Sequence, residues 1–277
     1  MRRSSNRPEI SIIIPCLNEE EYIQRLLEDL SEQDFDNFEV IVVDSASSDN
    51  TAEVAEHQAS VLPLWVVRLQ KRGVSRARNA GAQKAQGNWL LFLDGDVHIT
   101  EATFLRRLYD TAQRNDAQYG TSSIRTDSWH PFDRIFYLLS TRFFRKTFRG
   151  NEPLMTGAVM LVSARLHHEV NGFDETIQIG EDLDYAQRIA SYSNKGVFAP
   201  GHVFISNRKF LHRGRIRALL IAAGWKNLTP DWIDRWANKD YFSRHERTPL
   251  WRSIIRAAIY ILLTIVLLMG IYVLMSD

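Results

Sequence analysis

Two short β-branched runs, "EISIIIPCL" and "FEVIVVDSAS", flank "NEEEYIQRLLEDLSEQ", whose apolar positions Ile23, Leu26, Leu27 and Leu30 recur with a helical period. Near-continuous apolar runs that end in turn formers are expected of strands buried on both faces. A helical stripe between two such runs makes a β-α-β unit. The pattern continues. Asp49 to His57 reads as a second helix with Asp49 or Ser48 as N-cap, "LPLWVVRL" as a third strand, "VSRARNAGAQKAQG" as a helix and "NWLLFLD" as a fourth strand. Strands alternating with helices predict an α/β fold, a mostly parallel, doubly wound sheet flanked by helices, with ligands beyond the carboxyl ends of the strands. Asp44 and Asp94 fall at two of those ends.

At the end of the fourth strand, "LLFLDGDVHIT" sets Asp94 and Asp96 either side of Gly95. Two carboxylates at this spacing suit a hard divalent cation, Mn2+ or Mg2+, and equally suit an acidic Asp-Gly turn with solvated carboxylates. A second acidic pair, Glu181-Asp182, opens "EDLDYAQRIA", whose Leu183, Ala186, Ile189 and Ala190 fit a helical stripe. Acids in a first helical turn are also what the helix dipole and capping favour.

Composition narrows the field. Thirty-four Lys and Arg against 33 Asp and Glu leave a net charge of +1, so no large basic field recruits nucleic acid. The single cysteine, Cys16, permits no intrachain disulfide or cysteine-rich zinc site, and it reads as a buried packing residue in a reducing compartment. Neither G-x-G-x-x-G nor G-x-x-x-x-G-K-S/T occurs, so a nucleotide would be held in another way.

"MRRSSNRPEI" lacks the apolar core of a secretory signal. Residues 257–275, "AAIYILLTIVLLMGIYVLM", are uncharged, and at about 1.5 Å per residue they match a roughly 30 Å hydrocarbon core, which predicts a C-terminal transmembrane helix. Arg244, Arg247, Arg252 and Arg256 in the basic juxtamembrane stretch 244–256 place the preceding domain, residues 1–243 with a core of about 9–215, on the cytoplasmic side of a cell membrane. One span forms no channel, which weighs against a processive, extruding synthase. "PFDRIFYLLSTRFFRKTFRG", Pro131 to Gly150, interleaves aromatic and basic residues; as a helix it suits either an anionic membrane surface or an ordinary surface or core position.

Taken together, "SIIIPCLNEEEYI", "VIVVDSASSDNT", "GVSRARNAGAQKAQGNWLLFLDGD", "TGAVMLV", "GFDE" and "GEDLDYAQR" resemble glycosyltransferase family 2, in family order from about Ser11 to Ser206. The resemblance implies a GT-A fold, Rossmann-like as in nucleotide-diphospho-sugar transferases. It also implies a nucleotide-sugar donor, UDP-linked by preference, a divalent metal, and inversion at the anomeric carbon. Carried over residue by residue, Pro15, Asn18 and Glu19 line the nucleotide pocket and Asp44 hydrogen-bonds the base. Arg78 and Asn79 lie beside the donor, with the guanidinium able to contact phosphate. Asp94 reaches the ribose or metal, Asp96 is the principal metal ligand, Asp182 is the general base and Glu181 positions it or the acceptor.

Ser206 stands near a position where many members carry histidine; His202 and His212 flank it, and "SNRKF" offers Arg208 and Lys209 for the diphosphate. The implied activity is a membrane-anchored hexosyltransferase-like enzyme of glycan or glycolipid synthesis, its acceptor a polyprenyl-phosphate-linked sugar or a lipid. One rival is a catalytically silent relative that binds nucleotide sugar and organises a membrane complex. Another is a nucleotidyltransferase, which would need a glycine-rich basic motif where this chain has "PCLNEEEY".

Overall fold

The computed structural model describes residues 7–149, 153–177 and 180–206. The expected alternation is present as β1 (Ile10–Cys16), α1 (Glu20–Ser31), β2 (Phe38–Asp44), α2 (Thr51–His57), β3 (Leu64–Arg68), α3 (Val74–Lys84) and β4 (Trp89–Phe92). Then come β5 (Val97–His98), α4 (Phe104–Arg114), β6 (Tyr119–Thr126), α5 (Pro131–Arg149), β7 (Met160–Ser163), α6 (Ala164–Glu169), α7 (Glu181–Tyr192) and β8 (Gly196–Ile205).

All eight strands join one sheet in the order β3-β2-β1-β4-β7-β6-β8-β5. Its first half is parallel, β3 to β2 to β1 to β4, as βαβ crossovers require. Beyond β4 the sheet becomes mixed: β7 runs antiparallel to β4 and β6, β6 and β8 are parallel, and β5 closes the edge antiparallel to β8. The β6–β8 register slips between Thr121 and Ser123, opposite the stretch of β8 that carries Pro200 and the positive-φ Gly201.

Side-chain alternation divides the core between the two faces of the sheet. Ile10, Ile12 and Ile14 of β1 pack with Leu26, Leu27 and Leu30 of α1 and Leu105 and Leu108 of α4. Ile13, from the same strand, packs with Ala77 and Ala82 of α3 and with Tyr185, Ala186 and Ile189 of α7. The α3 contact is close enough to demand glycine: a Cβ on Gly81 would stand 2.4 Å from Ile13 Cγ2.

One boundary differs from the expected one. α2 begins at Thr51, with Asn50 in the cap position and no side-chain cap. Asp49, expected with Ser48 as the alternative cap, is drawn into the loop instead: its Oδ1 accepts from the Thr51 backbone N–H and hydroxyl, and its Oδ2 from the Glu20 N–H. Among the described residues no helix is long and apolar enough to cross a membrane. The predicted span 257–275 and the basic stretch 244–256 lie outside the described residues, as do Arg208, Lys209 and His212.

Candidate active site

Parallel pairing brings the ends of β1, β2 and β4 to one edge, because Cys16 lies beside Asp44 and Phe92 beside Ile13. The loops that leave this edge are stitched together. Asn18, at a positive φ of 57°, donates its N–H to Ser47 Oγ, and its Oδ1 accepts from the Ser48 N–H. The Glu19 N–H donates to Thr51 Oγ1. Pro15, near the end of β1, and the buried Glu19 lie at this same edge.

Asp44 is 7% exposed; its Oδ2 accepts from the Ser47 N–H, whereas its Oδ1 is buried with no donor among the described residues. An open carboxylate acceptor at a strand end fits a ligand N–H, the role expected of it. Cys16 is buried, and burial together with Glu19 and Asp44 pushes its thiol well above the ordinary range, in keeping with a packing role.

The "DGD" stretch is both a turn and a carboxylate pair. The Val97 N–H donates to the Asp94 carbonyl at 3.1 Å, closing a turn over Gly95 and Asp96. Gly95 lies so close to β1 that an added Cβ would be 3.1 Å from both Cys16 Sγ and Glu19 Cγ. Asp96 is 5% exposed, and its carbonyl accepts from the N–H of Ser206, the residue after β8. Among the described residues no group of three or more His, Cys, Asp or Glu gathers to hold a metal ion. The chemistry of Asp94 and Asp96 still suits a hard cation whose remaining ligands come from a diphosphate.

Arg78 joins the two acidic pairs. It projects from α3 with a side chain only 2% exposed; Nη2 donates to Asp94 Oδ1 at 2.9 Å and Nη1 to Glu181 Oε1 at 3.0 Å. Burial alone would depress its pKa, but Asp94, Glu181 and Asp182 outweigh that and hold it above the ordinary value. Both terminal nitrogens are thus engaged by carboxylates, while Nε is buried with no partner among the described residues. Asn79 follows Arg78 in the same helix. Its amide clamps the "GFDE" segment, donating to the Phe173 carbonyl and Glu175 Oε1 and accepting from the Phe173 N–H. Phe173 in turn lies under the Arg78 guanidinium, 5.1 Å from centroid to Cζ, and stacks on Tyr185 of α7 at 3.8 Å.

Asp182 sits in the first turn of α7, after the left-handed Gly180. Its Oδ2 accepts from the Gly157 N–H at 3.1 Å and its Oδ1 from the Leu183 N–H at 2.9 Å. Burial, and then the adjacent Glu181 charge, raise its pKa above the usual carboxylate range, against the opposing pull of Arg78. A carboxylate held by two backbone donors and biased toward taking a proton is what a general base requires.

Gly157 is the site residue that sequence reasoning missed. Thr156 and Val159 form an isolated bridge just before β7, and the turn between them runs against β4. A Cβ on Gly157 would lie 2.1 Å from Arg78 Nη2 and 2.9 Å from Asp94 Oδ1. Only glycine lets this amide approach Asp182 while Arg78 passes behind it. Gly157→Ala is expected to cost about 1–3 kcal/mol as the bracket is forced apart, read as a lower urea midpoint at unchanged m-value. A glycine three residues before the apolar run of β7 was the available signal.

His202 is removed from the site. On β8 its Nδ1 pairs with Glu101 Oε1 at 2.9 Å and its Nε2 faces Arg125 Nη1 at 3.3 Å. Burial and Arg125 lower its pKa against the pull of Glu101. The register explains the distance: β8 meets β5 through Phe204 and Ile205, so Ser206, not His202, reaches Asp96.

Comparison with known proteins agrees with this geometry. A glycosyl transferase family 2 model matches residues 11–170. Over 99 residues, 34% of this chain and 17% of the relative, the sequence is 38% identical to the poly(ribitol-phosphate) beta-N-acetylglucosaminyltransferase TarS of Staphylococcus aureus. The crystal structure of S. aureus TarS 1-349 in complex with UDP-GlcNAc shares the fold, with TM-score 0.60 and 22% identity over 72% of this chain and 58% of that one. So does a mannosyltransferase from Pyrobaculum calidifontis in complex with GDP-Man and Mn2+, with TM-score 0.58 and 24% identity over 72% and 57%. The chain spans less than two thirds of the length of these proteins. With more than half of its length matched by the family model, the chain belongs to glycosyl transferase family 2, a family of transferase enzymes.

Proposed function

We propose that this protein transfers a sugar from a nucleoside-diphosphate donor, UDP-linked by preference, to an acceptor hydroxyl with inversion at the anomeric carbon. The observation that carries the reading is the bracket in which Arg78 ties Asp94 at the donor edge to Glu181, next to Asp182. Donor-side and acceptor-side carboxylates are thereby fixed relative to one another, as direct displacement demands. Asp44 receives the base, with Pro15, Asn18 and Glu19 lining its pocket; Asp182 takes the acceptor proton, positioned by Gly157 and by Glu181. Asp96, with Asp94 as the weaker partner, would hold Mn2+ or Mg2+, and a bound ion would neutralise charge on the departing diphosphate. No nucleophilic side chain is needed, in keeping with the buried, inert Cys16.

UDP-GlcNAc in the TarS complex and Mn2+ in the mannosyltransferase complex support the donor class and the ion. Residues 257–275 anchor the enzyme with its catalytic domain in the cytoplasm, and the acceptor is a polyprenyl-phosphate-linked sugar or a lipid. By the family resemblance, Arg208 would supply a cation for the diphosphate.

A thermal-shift panel of nucleotide sugars with and without Mn2+ tests the donor half, since a ligand that binds the native state raises its stability. The wild type should be stabilised by one nucleotide family in the presence of Mn2+. Asp44→Asn should weaken that binding about tenfold or more, through loss of a charge-assisted hydrogen bond, and Asp96→Asn should erase the Mn2+ dependence. Equal shifts for the wild type and both variants would refute the assignment.

A further inference from the structure

Helix α5 carries a surface that the transfer chemistry does not use. Its inward side is settled by Tyr137 and Phe144, which pack on one core cluster, and Phe148, which packs on the other. On the outward side Ile135, Leu138 and Phe143 are 55%, 53% and 57% exposed, and Trp129, just before the helix, is 90% exposed. Arg134, Arg142, Arg145 and Lys146 are exposed among them. Positions 135, 138, 142 and 146 follow one another at three- and four-residue steps, so apolar and cationic groups share one stripe. The helix has a single acid, Asp133, which is fully buried and accepts from Ser128 Oγ at 2.6 Å. No carboxylate of α5 therefore offsets the outward cations.

We propose that α5 is a peripheral membrane-contact element that lies in the headgroup region of an anionic phospholipid bilayer, with Ile135, Leu138, Phe143 and Trp129 entering the acyl boundary. The chemistry selects this occupant. Large apolar side chains exposed over half their surface gain by entering an apolar phase, while long cationic side chains beside them reach outward to phosphate. Trp129, with the Arg134 guanidinium 5.8 Å from its ring, has the amphipathic form favoured at a bilayer interface. A nucleic acid would satisfy the cations but leave Ile135, Leu138 and Phe143 in water. A second copy docking face to face would oppose like charges across the two-fold axis. The inference is independent of the glycosyl-transfer reading, and its test requires no turnover. If it holds, the protein meets the membrane at a second place, on the crossover that returns through Gly157 to Asp182.

The test uses the full chain, in which the buried Cys16 leaves an introduced surface cysteine as the reactive thiol. Leu138→Cys is labelled with an environment-sensitive fluorophore and reconstituted with phosphatidylcholine vesicles, with or without phosphatidylglycerol; Gln83→Cys, exposed on α3, is the reference position. Emission at position 138 should shift to the blue and rise only with phosphatidylglycerol, with position 83 unchanged. Replacing Arg142 and Lys146 together by Gln should lower the docked-to-free ratio about thirty-fold. Emission that stays water-like in both lipids, or shifts equally in both, overturns the proposal. A blue shift that grows with protein concentration in lipid-free detergent would assign the face to a second copy and overturn it as well.

Discussion

Asp182→Asn should yield a folded protein that still binds donor and transfers sugar about 10²–10⁴-fold more slowly, the range for loss of a positioned general base. The amide keeps the shape of the carboxylate, so one oxygen can still accept from the Gly157 N–H that holds Oδ2 at 3.1 Å. What it loses is the ability to take a proton. Steady-state kinetics across pH provide the second reading. Because burial and Glu181 raise the Asp182 pKa, the acid limb of kcat/KM should lie above the ordinary carboxylate range, with activity falling as pH drops through that raised value. The linkage has the opposite sign for stability. A carboxyl whose folded pKa is raised contributes stability that is fully present below its unfolded pKa and is lost as pH rises through the folded one. Above that pH, Asp182→Asn should therefore match or exceed the wild type in urea midpoint while remaining slow. Undiminished transfer by the variant would remove Asp182 from the mechanism.

The parallel half of the sheet was legible because β1, β2 and β4 are buried on both faces and α1 carries its own apolar stripe. Asp44 and Asp94 could be placed at strand ends for the same reason, and the parallel register sets β2 and β4 on either side of β1. The antiparallel half was harder to read. β6, "YGTSSIRT", mixes Gly, Ser and Thr with few apolar residues, and its burial comes from neighbours far away in sequence. Pairwise roles proved the least legible. An arginine in "ARN" reads as an anion ligand, and the packing of α3 beside α7 and the Gly157 turn is what brings two of the protein's own carboxylates to it. Asn79, one residue on, binds the "GFDE" segment, whose backbone groups it satisfies.

Removing Arg78 should produce the largest loss of stability. Arg78→Met replaces a buried guanidinium with an apolar chain and leaves the Asp94 and Glu181 carboxylates, 22% and 13% exposed, facing each other and Asp182 with no cation between them. Breaking a buried pair from one side costs about 3–5 kcal/mol, mostly from the charge left behind. Arg78→Lys separates charge from geometry. An ammonium keeps the positive charge but lacks two divergent donors at fixed spacing, so it cannot hold Asp94 and Glu181 together as Nη2 and Nη1 do. Lysine should recover much of the stability yet leave kcat depressed, because the donor-side and acceptor-side acids are no longer fixed relative to each other. Adding Glu181→Gln to Arg78→Met should cost less than the sum of the two single changes, since the second removes a charge that the first has stranded. Urea unfolding of the four variants, set beside their kcat, distinguishes a bracket from a surface ion pair: a loss below about 1 kcal/mol in Arg78→Met, typical of exposed pairs, would show that the site's two halves are held together by something else.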